Sequence, residues 1–492
     1  MSELPGGWSE TEIGPVNTYS SETLNPAKAP KQTFELYSVP VFPKRKPEIV
    51  DGKDIGSTKQ KVEPDDVLLC KINPRINRVW LVGKKNDHEQ IASSEWIVIR
   101  QPLFHPDFIR FQLQESSFRD RLCAEVSGVG GSLTRAQPKK VESYKLRIAP
   151  LAEQKRIAQK LDALLAQVDT LKARIDAIPA LLKRFRQSVL AAAVSGQLTE
   201  EWRRQIAAAE APLLPLNTEN ISLPTNFKRL RKKNFSLANK GFKEPILPET
   251  WKIISVASMY ECNLLLDFAD GNHGSLYPSS ADFGISGVPF LTASQMTDRG
   301  DIHLHECPML NESKAVSLIK GWAEDNDVLL SHNATVGRVG ILKSTEPVLL
   351  GTSVTFYRFN TNYIEPRFMK ICFMSEFFQG QLRAMMEQTT RNQVPITAQV
   401  SLNALIPPHA EQLEIVRRVE QLFAYADQLE AKVAAAQQRI NALTQSLLAK
   451  AFRGELVPQD PGDEPASVLL ERIRAQRAAA PKPKRGRKAT TS

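Results

Sequence analysis

The chain reads "PLAEQKRI" from Pro150 to Ile157 and "PHAEQLEI" from Pro408 to Ile415, the same P-x-A-E-Q-x-x-I phrase written 408 − 150 = 258 residues apart. The match continues without a gap. It pairs Leu164 with Leu422, Asp169 with Asp427, Leu171 with Leu429, Ala173 with Ala431, Gln187-Ser188 with Gln445-Ser446, Gly196 with Gly454 and Leu198 with Leu456. Roughly a third of some fifty aligned positions are identical, which marks an internal duplication. A period the length of a domain excludes a solenoid of short stacked repeats.

Both copies carry one spacing pattern. Ile157, Leu161, Leu164, Val168, Leu171, Ile175, Ile178, Leu182, Phe185 and Val189 alternate steps of four and three, and the second copy places Ile415, Val419, Leu422, Ala426, Leu429, Val433, Ala436, Ile440, Leu443 and Leu447 at the same points. A heptad seam sustained this long predicts a coiled coil in which each helix is the partner of the other. Gly196 and Gly454 supply the left-handed C-terminal position. Pro179 removes a backbone donor inside the first helix and predicts a kink there, whereas the second copy has Gln437.

The segments before the helices are related more loosely. "LPGGW" (Leu4–Trp8) matches "LPETW" (Leu247–Trp251), "DVLLCKINPRINRVWLV" from Asp66 resembles "DVLLSHNATVGRVGIL" from Asp327, and "SEWIVIR" ending at Arg100 aligns with "TSVTFYR" ending at Arg358. Short strands joined by Gly, Pro and Asn turns are expected, with a helix around Phe104 to Cys123 and another around Pro366 to Gln388. The organisation expected is a mixed α/β (α+β) domain at 1–149, a long helix at 150–205, a linker at 206–246 containing the basic run from Lys228 to Lys233, a second domain at 247–405, a second long helix at 406–457, and a short helix with a basic disordered tail at 458–492.

A formal charge of +10 and a pI near 9.2 favour a polyanionic partner. The five cysteines, Cys70, Cys123, Cys262, Cys307 and Cys372, are odd in number and scattered, which argues against a disulfide framework and for a reducing compartment. No signal pattern and no apolar run near the roughly 18 residues of a membrane span is visible, so a cytoplasmic protein without a membrane partner is expected.

With these residues in view, the doubled E-Q helix, with its "SVLAAAVSGQL" and "SLLAKAFRGEL" endings, resembles the DNA-specificity subunit of type I restriction–modification enzymes. The resemblance covers nearly the whole chain. It implies two target-recognition domains, each reading one half of a bipartite, asymmetric site in double-stranded DNA. It also implies two helices that act as spacer and as docking surface for two methyltransferase subunits, with restriction subunits joining them. S-adenosylmethionine, ATP and Mg, and the catalytic residues, belong to those partners, so this chain is expected to hold no cofactor and to be no enzyme.

Symmetry supports the same arrangement. Duplex DNA has dyads perpendicular to its axis, so two copies of one module grip it equivalently only through a pseudo-two-fold, and helices so related run antiparallel. The β-branched residues at a-type positions, Val168, Ile175, Val189, Val419, Val433 and Ile440, are by contrast what parallel pairs favour. The symmetry argument takes precedence, and antiparallel helices are predicted. Ile157 to Val189 spans about 50 Å as helix, against about 34–36 Å for one duplex turn.

Catalytic readings lack their motifs. The one Pro-Pro, Pro407-Pro408, is not in an N/D-P-P-F/Y context, the cluster "SGVGGS" from Ser127 lacks dinucleotide-loop spacing, and no P-loop occurs. His303, His305 and Cys307 in "HLHECP" would share a face of a strand, but no fourth ligand is evident and no metal site is predicted. A coiled-coil scaffold without DNA readout, or a divergent DNA-modifying enzyme, remain the alternatives. The first leaves the charge and the duplicated domains unexplained.

Base edges are read by Arg, Lys, Asn, Gln, Ser or Thr on exposed loops. The candidates are Lys59, Lys71, Asn73, Arg75, Asn77 and Arg78 in the first domain, and Ser294, Gln295, Ser331, His332, Asn333, Thr335 and Arg338 in the second. Arg78 and Arg338, present in both copies, suit phosphate better than bases.

Overall fold

The structure is a computed structural model that describes residues 4–127, 134–206, 245–272, 274, 277–387 and 392–479. Most of the expected linker with the run from Lys228, the glycine cluster beyond Ser127, and the basic tail from Lys482 lie outside the described residues. The chain divides into two compact units, Met1–Asp176 with Val433–Ser492, and Ala177–Lys432.

The first unit contains a five-stranded mixed sheet in the order Thr23–Leu24, Lys59–Lys61, Glu89–Ser93, Thr33–Tyr37, Glu48–Asp51, in which only the Glu89–Ser93/Thr33–Tyr37 pair is parallel. Beside it is an antiparallel sheet of Val79–Leu81, Val67–Cys70 and Trp96–Ile99. The second unit repeats the plan. Its mixed sheet runs Phe283–Gly284, Met309–Leu310, Val288–Leu291, Val348–Leu350, Trp322–Ala323, again with one parallel pair, Val288–Leu291/Val348–Leu350. Its antiparallel sheet comprises Leu265–Asp270, Val354–Phe359, Val328–Asn333 and Thr335–Ile341. The aligned segments from Asp66 and Asp327 are thus equivalent central strands, rich in β-branched and aromatic neighbours and buried on both faces.

The same buried ion pair closes both sheets. Arg100 grips Asp66 at 2.7 and 2.7 Å, and Arg358 grips Asp327 at 2.9 and 2.8 Å. Burial pushes the Asp327 carboxyl up, partly offset by the Arg358 guanidinium beside it.

Each expected single helix after the sheets is two. Pro106–Gln114 is followed by Ser116–Ala124, and Pro366–Met374 by Glu376–Met386. The chain becomes extended at Glu115 (ψ 143°) and Ser375 (ψ 156°). At Ser375 the buried hydroxyl donates to the Cys372 carbonyl at 2.6 Å, satisfying an acceptor that the break exposes.

The repeated phrase opens two 44-residue helices, Leu151–Val194 and His409–Phe452. Pro179 lies inside the first, which is helical on both sides of it. In the second unit Arg186 meets Asp427 at 2.6 Å and the Leu198 carbonyl meets Arg418 at 2.7 Å, so the helices run antiparallel there. In the first unit Gln437 donates to Asp176 at 2.8 Å, while Ile157 and Leu161 share a core with Leu448 and Phe452, again antiparallel.

The phrase itself is a clasp. In the first unit the Trp8 indole donates to Glu153 at 3.1 Å, the Gln154 amide donates to the Ala149 carbonyl at 2.8 Å, and Gln154 accepts from His105 N at 2.9 Å. In the second unit Trp251 donates to Glu411 at 2.9 Å, Gln412 donates to the Pro407 carbonyl at 2.9 Å, and Gln412 accepts from Glu365 N at 2.8 Å. The proline of each L-P-x-x-W packs on the glycine that ends the opposite helix. A Cβ on Gly454 would come within 2.6 Å of Pro5, and one on Gly196 within 2.6 Å of Pro248, and both glycines have φ near +75°. Trp8, Phe108, Ile157, Phe452 and the helix Ala466–Ala479 share one core, and Trp251, Phe368, Ile415, Val189 and Val194 share another.

The seam is buried at Ile157, Leu161, Val168, Ile415, Val419 and Val433, and half-buried at Leu164, Ile175, Leu422, Leu429 and Ile440. Leu171 departs from the expectation: it is 49% exposed. The register in which Asp176 meets Gln437 brings the small Ala442 level with it, leaving its side chain uncovered. Val168→Asp is therefore expected to destabilise by about 3 kcal/mol in chemical denaturation, and Leu171→Asp by less than about 1 kcal/mol.

The two clasps differ in one respect. Glu411 also accepts from Thr199 at 2.6 Å and from Arg203, whereas the second carboxylate oxygen of Glu153 is buried without a hydrogen-bond partner among the described residues. Burial holds the Glu153 carboxyl above its ordinary range, so ionising it costs stability as pH rises through that range. Glu153→Gln should match or exceed the parent melting temperature at pH 7, whereas Glu411→Gln should lose about 2–3 kcal/mol with its charge-assisted bonds.

Candidate nucleic-acid interface

The candidate readers separate into exposed, structural and buried groups. In the first unit Lys59 is buried, its ammonium donating to the Ser57 carbonyl at 3.1 Å, and burial lowers its pKa. With half-buried Lys71 it lines a cavity of about 500 Å³ that also presents Asn17, Tyr19, Thr58 and Ser94. Asn73 and Asn77 bracket the one-turn helix Pro74–Ile76 with left-handed backbones (φ 47° and 49°), a conformation that asparagine tolerates well. Asn77 also donates to the Gln114 carbonyl at 3.1 Å, so both asparagines shape the turn, and exposed Arg75 sits at its tip. Arg78 turns back to the Ile72 carbonyl at 3.2 Å.

In the second unit Ser331 and His332 are buried in the central strand and present no side chain to a duplex, contrary to the sequence expectation. The reason is the strand's setting: both faces are covered, so polar residues there serve the sheet, and Ser331 accepts from Arg338 N at 2.8 Å. Asn333 and Thr335 form the tight turn of the hairpin around Ala334 (φ 61°), with Thr335 exposed and Asn333 half-buried. Ser294 is exposed on the turn Ala293–Gln295, which Gln295 caps by accepting from Thr292 N at 3.1 Å. Arg338 ties the hairpin to this turn, binding Asp298 at 2.8 Å and the Ala293 carbonyl at 3.0 Å. The two arginines expected to meet phosphate thus both hold their own loops.

Sequence reasoning passed over a basic group in the first unit. Lys44, Arg45 and Lys46 are exposed on one loop, and Lys84 and Lys85 on another. The loops share a floor: the Phe42 and Trp80 rings meet at 5.7 Å, and Gly83 N donates to the Tyr37 hydroxyl at 3.0 Å. The signal was the run "KRK" at 44–46, whose distance in sequence from Lys84 hides the juxtaposition.

No family model matches the chain. Among curated proteins it is similar to the type I restriction enzyme EcoKI specificity subunit of Escherichia coli K12, at 32% identity over 99% of both chains. The chain belongs to the type I restriction enzyme specificity subunits. The EcoBI specificity subunit of Escherichia coli is 33% identical over 77% of this chain and 76% of its own, and the StySPI subunit of Salmonella potsdam is 28% identical over 99% of each. Two solved structures share the fold of this specificity subunit. One is a chain from work on complex assembly and conformational transition of the type I R-M system (TM-score 0.64, 19% identity, 93% of this chain and 100% of that one). The other is the HsdS subunit from Thermoanaerobacter tengcongensis (TM-score 0.53, 20% identity, 92% and 99%). No helix among the described residues of this specificity subunit is long and apolar enough to cross a membrane.

If the two loops bind phosphates, replacing Lys44, Arg45, Lys46, Lys84 and Lys85 with Gln should flatten the dependence of log binding constant on log salt by about 0.9 for each phosphate no longer neutralised. Fluorescence anisotropy across a salt series checks this. Folding should change by less than about 1 kcal/mol, since all five are exposed and the one ring contact, the Arg45 guanidinium over Phe42 at 4.8 Å, lies at the surface.

Proposed function

We propose that this specificity subunit reads a bipartite, asymmetric site in double-stranded DNA, one half with each unit's sheet-and-loop module, and presents that DNA to two methyltransferase subunits and to restriction subunits in the cytoplasm. The observation that carries the reading is a module built twice on one clasp and one buried Asp–Arg pair, with different chemistry on its loops. A shared frame gives both modules the same way of meeting a duplex, and different loops give each its own bases.

In this reading the chain performs no bond-making step. S-adenosylmethionine, ATP and Mg act in the partner subunits, and the contribution here is positioning: loops such as those at Arg75, Ser294 and Thr335 would face base edges, and the basic loops would face phosphate. Co-expression with a methyltransferase partner and subsequent methylation-site sequencing should return one split motif with two unlike halves, while the purified chain alone should transfer no methyl group. A single uninterrupted motif, or methyl transfer by the chain alone, would contradict the proposal.

The paired helices also act as a ruler in this reading. Four residues inserted near Ala173 lengthen a helix by about 6 Å and rotate its C-terminal part by about 40° relative to its start. One base pair rises about 3.4 Å and turns about 34–36°. The insertion should therefore shift the preferred spacer by one or two base pairs and leave both half-sequences unchanged, as methylation of a spacer library would reveal.

A further inference from the structure

Among the described residues, one group of His, Cys, Asp and Glu side chains brings its ligand atoms within 4.8 Å of one another: His303, His305 and Glu306. We propose that these three side chains bind a single divalent transition-metal ion of the zinc class, a role distinct from base reading.

The geometry comes from a short turn. Residues Leu304–Glu306 form one turn of 3-10 helix, with Leu304 packed against the core and the side chains on either side of it facing solvent. The Glu306 carboxylate oxygen lies 3.3 Å from Nδ1 of His303 and 3.6 Å from Nε2 of His305. Four-coordinate zinc holds nitrogen and oxygen donors at about 2.0–2.1 Å, which places neighbouring donors about 3.4 Å apart in a tetrahedron. The Glu306 oxygen therefore stands near tetrahedral spacing from both imidazole nitrogens, and with all three ligand atoms inside 4.8 Å, rotation of the two stacked histidine side chains closes the remaining distance while the turn stays in place. Two imidazoles and one carboxylate select zinc, cobalt or nickel over magnesium and calcium, which take oxygen donors. Three protein ligands on an open surface leave a fourth position for water.

Cys307, the ligand that the sequence spacing suggested, is excluded. It is buried in the core, its sulfur facing the His303 carbonyl at 4.0 Å. Glu306 takes its place, because a 3-10 turn, unlike a strand, brings positions i and i+3 over one another. The turn is braced before any ion arrives: Glu306 N donates to the His303 carbonyl at 3.0 Å, and His303 N donates to the Gln295 carbonyl at 2.9 Å. An ion held here would therefore stiffen the segment that supports Ser294 and Gln295.

The test uses the full chain without a polyhistidine tag. Titration with zinc chloride in a calorimeter should show one ion per chain, and His305→Ala or Glu306→Gln should each weaken binding by at least about tenfold, with Cys307→Ser unchanged. Cobalt should give visible d–d bands without a sulfur-to-cobalt charge-transfer band. Absence of zinc binding, equal affinity in a His303→Ala/His305→Ala variant that circular dichroism shows to be folded, or a sulfur-to-cobalt band would each overturn the assignment.

Discussion

The hydrogen bond from a tryptophan indole to the glutamate that opens each long helix is the interaction on which the rest of the structure depends. It joins the first strand-forming segment of a unit to the first turn of a helix, in a site where the carboxylate is about 1% exposed. A buried carboxylate that loses its donor pays its full desolvation, so the tryptophan, the glutamate and the neighbouring glutamine have to stay together. The glutamine extends the clasp to a third element by accepting from the backbone just before the helix pair of the sheet domain. The proline three residues before the tryptophan then seats on the glycine ending the opposite helix, so each unit holds one helix start and one helix end.

This explains why the repeat is conspicuous where it is and faint elsewhere. Gln154, Glu411 and Gln412 are each tied to several partners that a substitution would strand, and at Glu153 the side chain has to keep an acceptor for the Trp8 indole. The sheets need only apolar strands, a parallel pair and one Asp–Arg closure, conditions that many sequences meet. The loops above them are constrained by their own turns, as at Asn73, Asn77 and Ala334, and are otherwise free to diverge. Freedom to diverge above a fixed frame is what a recognition protein requires.

The long helices were readable from their spacing, because periodic burial leaves a periodic pattern, their antiparallel course from the dyad symmetry of duplex DNA, and the equivalence of the Asp66 and Asp327 strands from the aligned segments that carry them. The β-branched a-type residues pointed to parallel pairing and lost, since the clasps at opposite helix ends fix direction before side-chain shape matters. The breaks at Glu115 and Ser375 carry no proline or glycine and so left no mark. Ser331 and His332 looked like loop residues, but a strand covered on both faces gives no alternation to betray burial. Leu171 obeys the heptad yet stays exposed, a consequence of register that spacing within one helix does not reveal. The Lys44–Lys46 and Lys84–Lys85 loops meet through Phe42 and Trp80, a long-range packing that composition cannot show.

The central claim is that two separately built modules each read half of one DNA site. Exchange of residues 247–405 for the corresponding segment of another specificity subunit, with methylation-site sequencing as the readout, addresses it most directly. The account predicts that one half of the methylated sequence changes while the other half and the spacer stay as they were. A change in both halves, or in neither with methylation intact, would contradict it.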